Sequence, residues 1–130
     1  MNRLMIVAVS FVTVIALGCA AGQEKGSSPG VLRHVVLFKF KDDAKPDQIR
    51  KVESEFRALK TRIPGVQALE WGTNVSTEDL AQGFTHCFLV TFADAKARDA
   101  YLPHAAHQDF VKILRPVLDK VLVIDYVAQE

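Results

Sequence analysis

Phe84-Thr-His86-Cys-Phe-Leu-Val-Thr-Phe92 is the stretch whose reading decides the fold. Alternation with a period of two puts Phe84, His86, Phe88, Val90 and Phe92 on one side of an extended strand, and Cys87 and Leu89 on the other. Both sides are apolar, which predicts a sheet covered on both faces. Before it, the polar segment Ser76 to Gly83 turns the chain, and Val66 to Val75 reads as a strand with Leu69, Trp71 and Thr73 on one face. Further back, Ile49, Val52, Phe56, Leu59 and Ile63 recur at three and four residues, the stripe of an amphipathic helix. Asp42, Asp43 and Pro46 mark its start, Pro64-Gly65 its stop, and Glu53, Glu55, Arg57, Lys60 and Arg62 its solvated face. The domain opens on Val31-Leu-Arg-His34-Val-Val-Leu-Phe-Lys-Phe40, a strand with Leu32, His34, Val36, Phe38 and Phe40 on one face.

Beyond Phe92, Asp94 can cap a short helix through Leu102. Pro103 has no N–H and disfavours αR at Leu102, so a new helix is expected from about His104 to Val117, with His107, Phe110, Leu114 and Val117 in register. Val121 to Val127 reads as the last strand. The order β-α-β-β-α-β is the α+β, ferredoxin-like arrangement, a four-stranded antiparallel sheet with its helices on one face. The other face is left bare. Leu69, Trp71, Cys87 and Leu89 are too apolar to stay together in water, so a homodimer packed sheet to sheet is expected, with Trp71 pointing into the interface.

A chain of 130 residues, 49% hydrophobic and 24% charged, suits one globular domain. Its 16 Lys and Arg balance 15 Asp and Glu, leaving no basic patch for nucleic acid. Residues 1–18 read as a signal peptide: Arg3 precedes an uncharged apolar run from Leu4 to Leu17, and small residues lead to Cys19. The run falls short of the ~20 residues of a membrane span. Ala16-Leu17-Gly18-Cys19 resembles the lipobox of bacterial lipoproteins, which implies a lipid on Cys19 and a protein anchored on the periplasmic side of the cell envelope. An ordinary signal peptide cut after Ala21 is the other reading. Residues 19–30 are then a flexible tether and residues 31–130 the domain. Cys87, left without an intrachain partner, reads as a small hydrophobe.

Tyr101-Leu-Pro-His104-Ala-Ala-His107-Gln-Asp-Phe110 gathers a phenol, two imidazoles and an aromatic anchor at a helix junction. Tyr101 and His107 held there could move a proton at neutral pH, or simply pack as core residues. His104-x-x-His107 has no companion ligands close in sequence, so no metal and no cofactor is expected.

Six ordered segments carry a family resemblance: His34-Val-Val-Leu-Phe-Lys-Phe-Lys; Ile63-Pro-Gly; Glu70-Trp-Gly; Gly83-Phe-Thr-His86 with Val90-Thr-Phe92; Tyr101-Leu-Pro-His104-Ala-Ala-His107; and Ile124-Asp-Tyr126. From about Val31 to Val127 the chain resembles the stress-responsive dimeric α/β-barrel (Dabb) domain. The resemblance implies a homodimer whose two ferredoxin-like sheets form a barrel. In one plant member that closes a polyketide ring by aldol condensation, a Tyr and a His act at the positions of Tyr101 and His107. It further implies a pocket lined by His34, Val36, Phe38, Val52, Phe56, His86, Phe88, His104, Phe110, Val121 and Val123. Ala105 departs from the family, which usually has proline there.

Two functions follow. The protein is either an envelope-anchored module whose pocket holds a small apolar molecule, or an acid–base enzyme with His107 as base, Tyr101 polarising a carbonyl and His34 placing the substrate. The leader favours the first, because polyketide intermediates are made in the cytoplasm. A heme-degrading or quinone-type monooxygenase, known among other dimeric α/β barrels, is a third reading.

Overall fold

The computed structural model describes residues 30–129. The expected signal peptide, Cys19 and the tether through residue 29 lie outside the described residues. The elements are β1 (Leu32–Phe40), α1 (Pro46–Arg62), β2 (Val66–Thr73), β3 (His86–Phe92), α2 (Ala95–Tyr101), α3 (Ala105–Leu114) and β4 (Leu118–Val127). No helix among them is long and apolar enough to cross a membrane.

Local chemistry sets the helix ends. Pro46 sits in the first turn of α1, where its missing N–H costs nothing, and the Lys45 N–H donates to Gln48 Oε1 at 2.9 Å. Gly65, at φ +94°, takes the left-handed turn after α1 that a side chain would resist. Asp94 caps α2 by accepting from the Ala97 N–H at 2.9 Å. Leu102 keeps the αR conformation in spite of the following proline, with its N–H donating to the Arg98 carbonyl at 3.2 Å. The break therefore falls one residue later than the steric rule suggests. His104 then caps α3, its Nδ1 accepting from the Ala106 N–H at 3.2 Å.

The strands form one antiparallel sheet in the order β2-β3-β1-β4, the ferredoxin-like topology. Its helix-covered face holds the core. Phe56 of α1 stacks on Phe88 of β3 with ring centroids 4.0 Å apart, and Phe38 of β1 lies 5.9 Å from Phe56 and 6.4 Å from Phe110 of α3. Val52, Leu59, Val90 and Phe92 complete a layer with almost no exposure. Full burial of such side chains contributes about 1.5–3 kcal/mol each.

Strand register overturns the expected place of Trp71. It pairs directly with Phe88, and Leu69 pairs with Val90, so both lie on the helix side. Trp71 stacks on Phe88 at 5.5 Å and on His86 at 6.2 Å. The opposite face carries Val35 and Leu37 of β1, Cys87 and Leu89 of β3, and Leu122, Ile124 and Tyr126 of β4. Leu37 pairs with Cys87 and Leu122, and Val35 with Leu89 and Ile124. The bare face is thus apolar as expected, but its greasiest contribution comes from β4, where Leu122, Ile124 and Tyr126 are 42–49% exposed. A one-residue change of register exchanges the faces of a whole strand. β4 also begins earlier than the sequence indicates, at Leu118, because Pro116 ends the helical course and buried Val117 turns the chain into the strand.

Candidate functional site

Between β1, β4 and the α2–α3 junction lies a cavity of about 410 Å³. It exists because neither helix reaches over β4: Val121 and Val123, on the helix side of that strand, remain 49% exposed. The cavity walls are mostly apolar, with His34, Tyr101, His107 and Asp125 gathered at the end where β1 begins and α2 stops.

Tyr101 closes α2 and is 1% exposed, its ring 5.1 Å from Phe92, 5.9 Å from His34 and 4.6 Å from His107. Its hydroxyl is buried with no hydrogen-bond partner among the described residues. Burial drives the phenol's pKa well above its ordinary value, so the group is a neutral donor. His107, in the first turn of α3, has Nδ1 2.9 Å from the Leu102 carbonyl oxygen. A carbonyl only accepts, so Nδ1 carries the proton and Nε2 keeps the lone pair of the neutral ring. Burial lowers the pKa of His107, opposed by that hydrogen bond and helped by nearby His34.

His34 is held differently. It pairs across the ladder with Asp125, and its Nδ1 lies 2.6 Å from Asp125 Oδ1. Since a carboxylate only accepts, Nδ1 donates and Nε2 is again the free nitrogen when the ring is neutral. The other Asp125 oxygen accepts from Arg98 of α2, whose Nε donates to Asp99 at 2.7 Å. The site therefore holds a neutral phenol between two imidazoles, each oriented through Nδ1. Such a set can donate to a carbonyl oxygen and accept a proton from an adjacent carbon without any cofactor. Among the described residues no three His, Cys, Asp or Glu side chains converge as metal ligands.

The family model for the stress-responsive A/B barrel domain matches residues 32–128. The chain belongs to that family. This A/B barrel domain is 42% identical over 97 residues to the stress-response A/B barrel domain-containing protein HS1 of Arabidopsis thaliana, covering 75% of the chain and 89% of the relative. It is 30% identical over 95 residues to olivetolic acid cyclase of Cannabis sativa, covering 73% and 94%. The solved structure of a dimeric ferredoxin-like protein of unknown function from Jannaschia sp. CCS1 superposes with a TM-score of 0.68 at 28% identity, covering 76% of this chain and all of that one.

Within the A/B barrel domain, the cavity brings together Tyr101, His107, His34, Val36, Phe38, Phe56, Phe110, Val121 and Val123, all expected from sequence. Four expected lining residues are elsewhere. Val52 and Phe88 belong to the closed core under α1 and do not line the cavity. His104 is spent on the α3 cap. His86 lies near the other end of β3, with Nδ1 2.8 Å from Thr85 Oγ1 and Nε2 3.0 Å from Glu53 Oε1, under the Trp71 ring. His86 and His34 both face the helices, but on strands that pair His34 with Val90 and so set the two rings far apart along the sheet.

Asp125, Leu102, Val111, Leu114, Arg115 and Leu118 also line the cavity and were not expected there from sequence. A signal existed for Asp125: it breaks the apolar alternation of Val121, Val123 and Val127. Cys87 is exposed on the bare face, where burial and then the Glu70 charge raise its pKa and keep it a thiol.

Proposed function

We propose that this protein binds a small, largely apolar carbonyl compound in the cavity and transfers a proton to or from it. One observation carries the reading: among the described residues the Tyr101 hydroxyl is buried without a partner in the cavity wall, between His34 and His107. An unsatisfied buried hydroxyl costs about 1–3 kcal/mol, and a substrate oxygen there would recover it. Tyr101 donates to the carbonyl oxygen, and Nε2 of His107 takes the proton from the neighbouring carbon. His34, oriented by Asp125, holds a polar group of the substrate. Similarity to olivetolic acid cyclase supports this class of acid–base chemistry. The test is a screen of the purified full chain against small apolar carbonyl compounds, with Tyr101→Phe and His107→Ala alongside. Turnover lost in both variants, each shown to be folded, is expected; equal turnover in all three removes this pair as the catalytic groups. Binding with no turnover of any compound leaves a binding module, as the leader would suit.

The working unit is a homodimer closed through the bare sheet face, a reading supported by the exposed apolar side chains of β4 and by the dimeric Jannaschia neighbour. It is carried on the cell envelope by a lipid on Cys19, a reading that rests on the residues before that cysteine.

A further inference from the structure

The cavity has a second end. Its wall runs along α3 from His107 to Arg115, just past the last helical residue, and along β1 from His34 to Phe38. At ~1.5 Å per helical residue the first path is about 12 Å long. At ~3.3 Å per strand residue the second is about 13 Å. The polar wall residues His34, Tyr101, His107 and Asp125 lie at one end of these paths, and Arg115 lies at the other.

Arg115, an exposed residue, differs from Lys112, Lys39 and Lys41 near it. Lys112 pairs with Asp109 at 2.7 Å, Lys39 with Asp119 at 3.1 Å, and Lys41 donates to the Pro116 carbonyl at 2.8 Å. Arg115 has no carboxylate within ion-pair distance among the described residues, and its guanidinium donates to no other group there. A cation at a helix C-terminus favours the helix dipole, which accounts for a positive charge at this position but not for its place in the wall of an apolar cavity. A guanidinium offers a planar fork that fits a carboxylate or a phosphate through two parallel hydrogen bonds.

We propose that the ligand is an amphiphile: an anionic head on Arg115, an apolar body along the cavity, and its reactive carbonyl roughly a dozen Å away between Tyr101 and the imidazoles. This rests on the reading of the cavity as a ligand pocket. Arg115 is then the residue that selects anions over neutral compounds of equal length.

Calorimetric titration of the full chain with decanoate, decyl phosphate and decanamide tests it, in the wild type, Arg115→Gln and Arg115→Lys. The wild type should bind at least one anion about tenfold or more tighter than the amide. Arg115→Gln should lose that preference while its affinity for decanamide stays the same, and Arg115→Lys, which preserves the charge at the helix end, should keep most of it. Tighter binding of decyl phosphate identifies a phosphate head, and tighter binding of decanoate a carboxylate; both support the proposal. Equal affinities for anion and amide in the wild type, or a preference that survives in Arg115→Gln, overturn it and leave the cavity reading intact. If none of the three probes binds, the cavity reading falls and this proposal with it.

Discussion

Asp125 of β4 sits directly across the ladder from His34 of β1, and the two side chains meet at 2.6 Å on the helix side of the sheet. Asp125 also accepts from Arg98, so one carboxylate ties the first strand, the last strand and α2 together at the polar end of the cavity. The pair fixes which nitrogen of His34 carries the proton.

Asp125→Asn should release that choice. Long-range ¹⁵N–¹H NMR of the wild type is expected to show His34 protonated at Nδ1, and the variant a mixture of tautomers. Loss of a hydrogen bond to a charged group should also lower stability by about 1.5–3 kcal/mol. An unchanged tautomer in the variant would mean that packing, not Asp125, orients the ring.

Tyr101→Phe removes a hydroxyl that has no hydrogen-bond partner among the described residues. The variant should therefore be as stable as the wild type or more stable, by about 1 kcal/mol, equivalent to ~4–8 °C in Tm for a domain of this size. Ligand turnover should fall at the same time. A fall in Tm would show that the hydroxyl serves the core, contrary to a substrate-facing role.

His107 gives the protein an acid limb. Burial keeps its folded-state pKa below the ordinary 6.5. Between that lower value and 6.5 the unfolded chain binds a proton that the folded chain refuses, so stability rises with pH through this window and is lost on acidification. The urea midpoint followed from pH 7 downward should decline less steeply in His107→Gln. Identical slopes in variant and wild type would place the acid sensitivity in other groups.

Leu122→Glu and Trp71→Ala separate interface from core. Leu122 is 42% exposed on the bare face, so a charge there should spare the monomer and cost several kcal/mol of association, shifting sedimentation toward monomer. Trp71 packs on Phe88 and His86, so its truncation should lower Tm without changing the oligomeric state. A wild type that sediments as a monomer at tens of micromolar would end the dimer reading.

Cys19→Ser should abolish metabolic lipid labelling and release the protein into a soluble fraction. Recovery of a wild-type mature N-terminus beyond Cys19, with no label, would establish an ordinary secreted form.

The amino-acid sequence by itself determined the elements and their order, because periods of two and of about 3.6 are properties of single segments: His86 to Phe92 alternates as a strand greasy on both sides, although the expected start at Phe84 lies outside β3, and the stripe from Ile49 to Leu59 belongs to an amphipathic helix. It also placed Tyr101 and His107 together, since the junction at Pro103 separates them by only six residues (107 − 101 = 6). What only the tertiary structure decided was register. Alternation says which residues of one strand share a face, but the face itself depends on the partner strand: pairing with Phe88 sent Trp71 under the helices, and pairing with His34 brought Asp125 to the site from 91 residues away. The same limit explains the histidines, since His34 and His86 both alternate inward, and only the offset between β1 and β3 puts one in the cavity and the other against Glu53. Register arises from the mutual fit of side chains on neighbouring strands, a long-range quantity that no single segment carries.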